Sequence, residues 1–114
     1  MVAVSEERFD QLVDEAIDRI PHQFLHQLGN VVIQVQPRHP QVPTLLGLYE
    51  GVPLTKRQAN HWGPPDCITL YRDMLCSISH SEEALILQIR VTLLHEIGHF
   101  FGLDEEDLDR LGYG

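Results

Sequence analysis

Residues 93–106 read LLHEIGHFFGLDEE, and the fold and chemistry of the chain turn on this stretch. His95 and His99 are four positions apart, so on a helix they share one face, separated by about 6 Å of axial rise. Two imidazoles so placed can converge on a single cation. Glu96 follows His95 directly and flanks the pair one position round the helix. Gly102 then offers a residue that enters the left-handed conformation at little cost, a common way to end a helix. Upstream, ALILQIRVTLLHEIGHFF (residues 84–101) is apolar almost all round. The exception is a line of Gln88, Thr92, His95 and His99 at steps of four, three and four, with Arg90 falling elsewhere. A helix sunk in the core keeps one polar stripe where that stripe lines a cleft. Ser79 with Glu82 matches the S-x-x-E capping box, so the long helix is predicted to begin there and to run to Gly102.

Further out, Phe9, Leu12, Val13, Ala16, Ile17 and Ile20 recur at helical spacing, which predicts an amphipathic helix from Ser5 to Ile20. Pro21 stops or bends it, and HQFLHQL (22–28) adds a turn before Gly29 and Asn30. VVIQVQP alternates apolar with polar, as a half-buried strand does. TLLGLYEG (44–51) and CITLYRDML (67–75) are second and third strand candidates, and NHWGPPD (60–66) is a loop. The end of the chain, DEEDLDRLGYG, suggests one or two helical turns capped by Asp104 and anchored by Leu108 and Leu111.

The chain has 114 residues, 43% hydrophobic and 22% charged, which fits one globular domain spanning residues 1–114. A net charge of −9 repels phosphate backbones and anionic membranes, so no nucleic-acid or membrane partner is expected. The acidic residues in MVAVSEERFD do not suit a secretory leader, and no apolar run reaches spanning length, so the expected location is cytoplasmic. Cys67 and Cys76 are the only cysteines and are read as reduced thiols.

His95, Glu96 and His99 form the H-E-x-x-H pattern of zinc peptidases, in which the histidines hold Zn and the glutamate is the general base of hydrolysis. A catalytic zinc normally takes a third protein ligand. In the extended pattern H-E-x-x-H-x-x-G-x-x-H a glycine turns the chain back toward the metal. Gly102 occupies that glycine position and Glu105 the third-ligand position, with Asp104 one residue earlier as the alternative. If Asp104 caps the last helix, its carboxylate is engaged there and Glu105 is free to reach the metal. The plain alternative is a buried helix with satisfied histidines, followed by a solvated acidic helix start. His22 and His26 share the four-residue spacing but lack an adjoining acid, and they read as surface residues. No role is assigned to His39, His61 or His80.

NVVIQV, LLGLYEGVPLTKR, PPDCITLYRDML and HEIGHFFGLDEEDLDRLGY follow one another in an order that resembles a small bacterial zincin-like family of minimal zinc metallopeptidases. That family's motif is H-E-x-x-H-x-x-G-x-x-D, and Glu105 stands at the position of its final aspartate, one methylene longer. The resemblance implies an α+β zincin-like domain, with a small mixed sheet, an N-terminal helix and a long active-site helix. It implies Zn held by His95, His99 and Glu105, with Glu96 as general base and a peptide or protein as substrate. Met1 and Met74 are the only methionines, so the Met-turn of metzincins is not expected. Tyr113 or Tyr71 are candidate donors to a developing oxyanion. Two other functions stay open: metal-dependent hydrolysis of a non-peptide bond, and a non-catalytic interaction module stabilised by its metal.

Overall fold

A computed structural model describes residues 1–52 and 65–112. The elements follow in the order α1 (Glu6–Asp18), α2 (His22–Leu28), β1 (Val31–Gln36), β2 (Gly47–Glu50), β3 (Asp66–Tyr71), α3 (Arg72–Ser77), α4 (Glu82–Phe100) and α5 (Glu105–Leu111). Helices and a small mixed sheet make the fold α+β, as expected from the sequence. The order across the sheet is β1-β3-β2, with β1 parallel and β2 antiparallel to β3. Parallel neighbours need a long connection, and here that connection carries β2 within it.

The central strand β3 is buried at every residue except the half-buried Cys67, whereas β1 alternates half-buried and exposed residues. Helix α4 packs against β2 and β3 on one side and against α1 on another. Contact on several sides explains why α4 is apolar around most of its circumference. Phe9, Leu12 and Ala16 of α1 meet Ile68 and Leu70 of β3 and Leu85, Ile89 and Leu93 of α4 in one core with no solvent exposure. Each of these leucine, isoleucine and phenylalanine side chains contributes about 1.5–3 kcal/mol by leaving water. Arg8 pairs with Glu82 and Arg19 with Glu83, fastening the length of α1 to the first turn of α4.

Four sequence expectations are corrected. The strand expected over residues 67–75 stops at Tyr71, and the chain turns into α3. Its partner β1 ends at Gln36, and Pro37 has no N–H with which to continue the ladder. Asp73 N–H instead donates to Pro37 O at 2.9 Å. The strand expected over 44–51 is confined to Gly47–Glu50, after a turn closed by Leu45 N–H on Val42 O. Ser79 does not cap α4. It is buried, and its hydroxyl donates to Leu75 O at 2.8 Å, finishing α3. Ser81 is the cap, accepting from Ala84 N–H at 3.1 Å, while Glu82 is taken by Arg8. Leu108 is fully buried, but Leu111 is 59% exposed and anchors little. Among the described residues both cysteines are free thiols, and no helix is long and apolar enough to cross a membrane.

Candidate metal centre

The site is built on the last two turns of α4 and the first turn of α5. Helix α4 ends in a double hydrogen-bonded turn, with Gly102 at φ +86°. Leu103 N–H reaches back to Gly98 O at 3.0 Å and Gly102 N–H to His99 O at 2.9 Å, the pairing that satisfies carbonyls at a glycine-terminated helix end. The turn reverses the chain so that α5 starts beside the helix face carrying the histidines.

Asp104 caps α5 in a reciprocal box. Its Oδ1 accepts from Asp107 N–H at 2.8 Å, and Asp107 Oδ2 accepts from Asp104 N–H at 3.1 Å. The Asp104 carboxylate is therefore committed to the helix start. Glu105, one residue on, lies with Oε1 at 3.3 Å from His95 Nε2 and 2.9 Å from His99 Nε2. The two imidazoles stand edge to face, with ring centroids 4.9 Å apart. His99 Nδ1 is 3.0 Å from Leu103 O, and a carbonyl oxygen can only accept, so the Nδ1–H donates to it and Nε2 is the nitrogen turned toward Glu105. Neither the glycine turn's second hydrogen bond nor this tautomer lock is visible in residue types, because both acceptors are main-chain carbonyls.

Glu96 occupies a different environment. It is 6% exposed, its Oε1 accepts from the Tyr49 main-chain N–H at 2.9 Å, and its Oε2 lies 3.8 Å from His95 Nε2. Burial pushes its carboxyl above the usual glutamate range, and Glu105 pushes the same way. His95, His99 and the Tyr49 N–H act in the opposite direction. The potential ligand atoms of His95, Glu96 and His99 all lie within 4.8 Å of one another.

Open space flanks the group on both sides. A cavity of about 220 Å³ runs between the segment leading into β2 and α4, lined by Leu45, Leu46, Gly47, Val91, His95 and Glu96 among others. A second, of about 420 Å³, is lined by Tyr49, Gly51, His99, Leu103, Asp104 and Glu105 among others. Gln88 and Thr92 of the polar stripe also line the first cavity, so the stripe borders a cleft as its pattern predicts.

A sequence model of the zincin-like metallopeptidases matches residues 28–114. The chain belongs to this family. Among curated proteins none matches it. Among solved structures, this zincin-like chain is similar to a conserved hypothetical protein from Thermus thermophilus, at 20% identity and a TM-score of 0.55. That similarity covers 95% of this chain and 97% of the other, and it speaks to the fold alone.

Among the described residues, His22, His26, His39, His80 and Tyr71 lie elsewhere. His22 and His26 are exposed on α2. His39 Nδ1 accepts from the N–H groups of Gln41 and Val42, and His80 Nδ1 lies by the N-terminal amine. Tyr71 is buried, its ring edge-on to His39 at 5.6 Å, and lines neither cavity. Tyr113, His61 and most of the loop read over residues 60–66 lie outside the described residues.

Proposed function

We propose that this zincin-like protein is a zinc-dependent peptidase in which His95, His99 and Glu105 hold the ion and Glu96 is the general base. The observation that carries this reading is the convergence of three donors of the right kind. Two imidazole nitrogens and one carboxylate oxygen suit Zn²⁺. Arms of about 2.0–2.1 Å in a tetrahedron imply donor separations of roughly 3.3 Å, and Glu105 Oε1 stands 3.3 and 2.9 Å from the two Nε2 atoms. Glu105 is preferred to Asp104 because the latter's carboxylate is occupied by the α5 cap. It is preferred to Glu96 because one oxygen of Glu96 is engaged by Tyr49 N–H and the residue is buried.

A zinc ion bound there would polarise the scissile carbonyl and acidify a water. Glu96 Oε2, on the side facing His95, is placed to take a proton from a water attacking the carbonyl carbon. Glu96 would then deliver the proton to the amide nitrogen as the C–N bond breaks, leaving a carboxylic acid and an amine. A base raised by burial above the usual glutamate range is suited to both transfers. An extended peptide lying across the metal centre would set side chains in the two flanking cavities, which favours a peptide over a small amide.

The test compares wild type, His95→Ala and Glu96→Gln for zinc content and for cleavage of a peptide library and of a small-amide panel. Wild type should retain zinc and cleave peptides, His95→Ala should lose both, and Glu96→Gln should keep zinc and lose cleavage. Equal zinc in wild type and His95→Ala would remove the site. Cleavage confined to the small amides would replace the substrate class.

A further inference from the structure

The hydrogen bond to Glu96 comes from a main-chain group whose direction is set by the sheet. Leu46 O accepts from Tyr71 N–H at 3.0 Å. In an antiparallel pair the polar groups of alternate residues face the partner, so Leu48 and Glu50 also turn theirs toward β3 while Gly47 and Tyr49 turn theirs away. Among the described residues β2 is an edge of the sheet, where an outward N–H ordinarily bonds to water. Here the Tyr49 N–H ends on Glu96 Oε1.

That contact requires β2 to lie very close to α4. A β-carbon at Gly47 would fall 2.7 Å from Thr92 Cγ2, 3.2 Å from Thr69 O and 3.5 Å from Glu96 Cγ. Gly47 takes no left-handed backbone angle, so its lack of a side chain serves the close approach rather than a turn. Thr92 is buried, and Gln88 Nε2 lies 3.4 Å from its Oγ1, so it has little freedom to withdraw.

We infer that Gly47 is a positioning residue for Glu96: its bare α-carbon lets β2 settle on α4, and the Tyr49 N–H then fixes Oε1 so that Oε2 is the oxygen held toward His95. The inference rests on the reading of Glu96 as general base. Restraining one oxygen prevents the two from exchanging places by rotation, so the proton-carrying atom is preset at Oε2. The arrangement also explains how a carboxylate can sit buried, since a main-chain donor satisfies part of its hydrogen-bonding demand.

The experiment is amide hydrogen exchange by NMR on the full chain, with and without added Zn²⁺, reading Tyr49 and, as an internal control, Leu48 in the β2–β3 ladder. In wild type the Tyr49 amide should exchange at least about tenfold more slowly than an unbonded one, the factor one hydrogen bond supplies. Glu96→Gln should keep that protection, because its side-chain oxygen still accepts. Glu96→Ala should lose it while Leu48 is unchanged. Gly47→Ala should also expose Tyr49, and adding Thr92→Ser, which removes only the Cγ2 methyl and keeps the hydroxyl, should restore protection. In the hydrolysis assay Gly47→Ala should lower kcat on the order of 100-fold through displaced geometry, with KM and zinc content held, and Thr92→Ser should recover most of it. An unprotected Tyr49 amide in wild type, or one still protected in Glu96→Ala, overturns the inference even if peptides are cleaved. A protected amide in a zinc-loaded protein that hydrolyses nothing overturns the catalytic reading and, with it, any positioning role. If Gly47→Ala disturbs Leu48 as well, the comparison of Glu96→Gln with Glu96→Ala decides.

Discussion

Leu108 of α5 packs directly onto the bare backbone of Gly98 in α4, its Cδ2 occupying the place a β-carbon at 98 would take. Gly98 lies between the two histidines in sequence but on another face of the helix, so its role is to let α5 close down. Leu108 has no solvent exposure and sits one turn from Glu105. A methyl group at Gly98 would therefore push α5 outward and carry Glu105 away from both imidazoles. Overpacking of this kind costs about 1–3 kcal/mol, and misplacing a ligand weakens metal binding by about 10–100-fold. Zinc titration against a competing chelator should show that loss in Gly98→Ala. Unaltered zinc affinity in a folded Gly98→Ala protein would detach α5 from the site.

Glu105 and Asp104 should separate cleanly on substitution. Glu105→Ala removes a proposed ligand from an exposed position and should reduce zinc occupancy with little change in the stability of the zinc-free chain. Asp104→Ala removes the reciprocal cap with Asp107 and should cost about 0.5–2 kcal/mol of stability while zinc is retained. Metal analysis paired with thermal unfolding of both variants reads the two effects independently. The reversed pattern would move the third ligand to Asp104.

The long helix and its chemical face were legible in sequence because both are carried by side-chain spacing. His95, Glu96, His99 and Gly102 announce themselves at fixed intervals, and the alternation in residues 31–36 marks β1. The short α3 was not legible, since RDML follows a β-branched and aromatic run and only the lack of a donor at Pro37 ends the strand. Ser79 and Ser81 are both acceptable caps by residue type, and the choice falls on tertiary grounds: Ser79 is buried and bonded to Leu75 O. Gly47 and Gly98 looked like ordinary glycines because their meaning lies in Thr92 and Leu108, residues brought near by folding. The Tyr49 N–H and Leu103 carbonyl were invisible because every residue of those types carries the same groups.

The pairing of α1 with α4 should give a pH-dependent increment of stability. The Arg8 guanidinium, hydrogen-bonded to both oxygens of Glu82, holds that carboxyl below the usual glutamate range. A carboxylate depressed in the folded state stabilises above its unfolded pKa, and the contribution disappears as pH falls through the folded value. Urea midpoints for wild type and Glu82→Gln should therefore differ at pH 7 and converge in acid below the ordinary glutamate range. High salt should shrink the difference at pH 7, because both side chains are substantially exposed. A gap that persists undiminished in acid would assign the effect to packing rather than to charge.

Metal removal should act on the fold as well as on catalysis. His95 and His99 belong to α4 and Glu105 to α5, so one ion held by all three would tie the last helix to the core and bind only the folded chain. A ligand with that property stabilises by about 2.7 kcal/mol at a hundredfold excess over Kd. In a domain of this size that raises Tm by roughly 10 °C or more. Thermal unfolding with Zn²⁺ and with a chelator should show that difference in wild type and lose it in His95→Ala. The instructive variant is Glu96→Gln, because Glu96 is itself among the potential donors within 4.8 Å of one another. If Glu105 is the ligand and Glu96 the base, Glu96→Gln keeps the zinc-dependent rise in Tm and Glu105→Ala loses most of it. A rise surviving in Glu105→Ala and abolished in Glu96→Gln would exchange the two carboxylates' roles, leaving the buried one on the metal and the exposed one free.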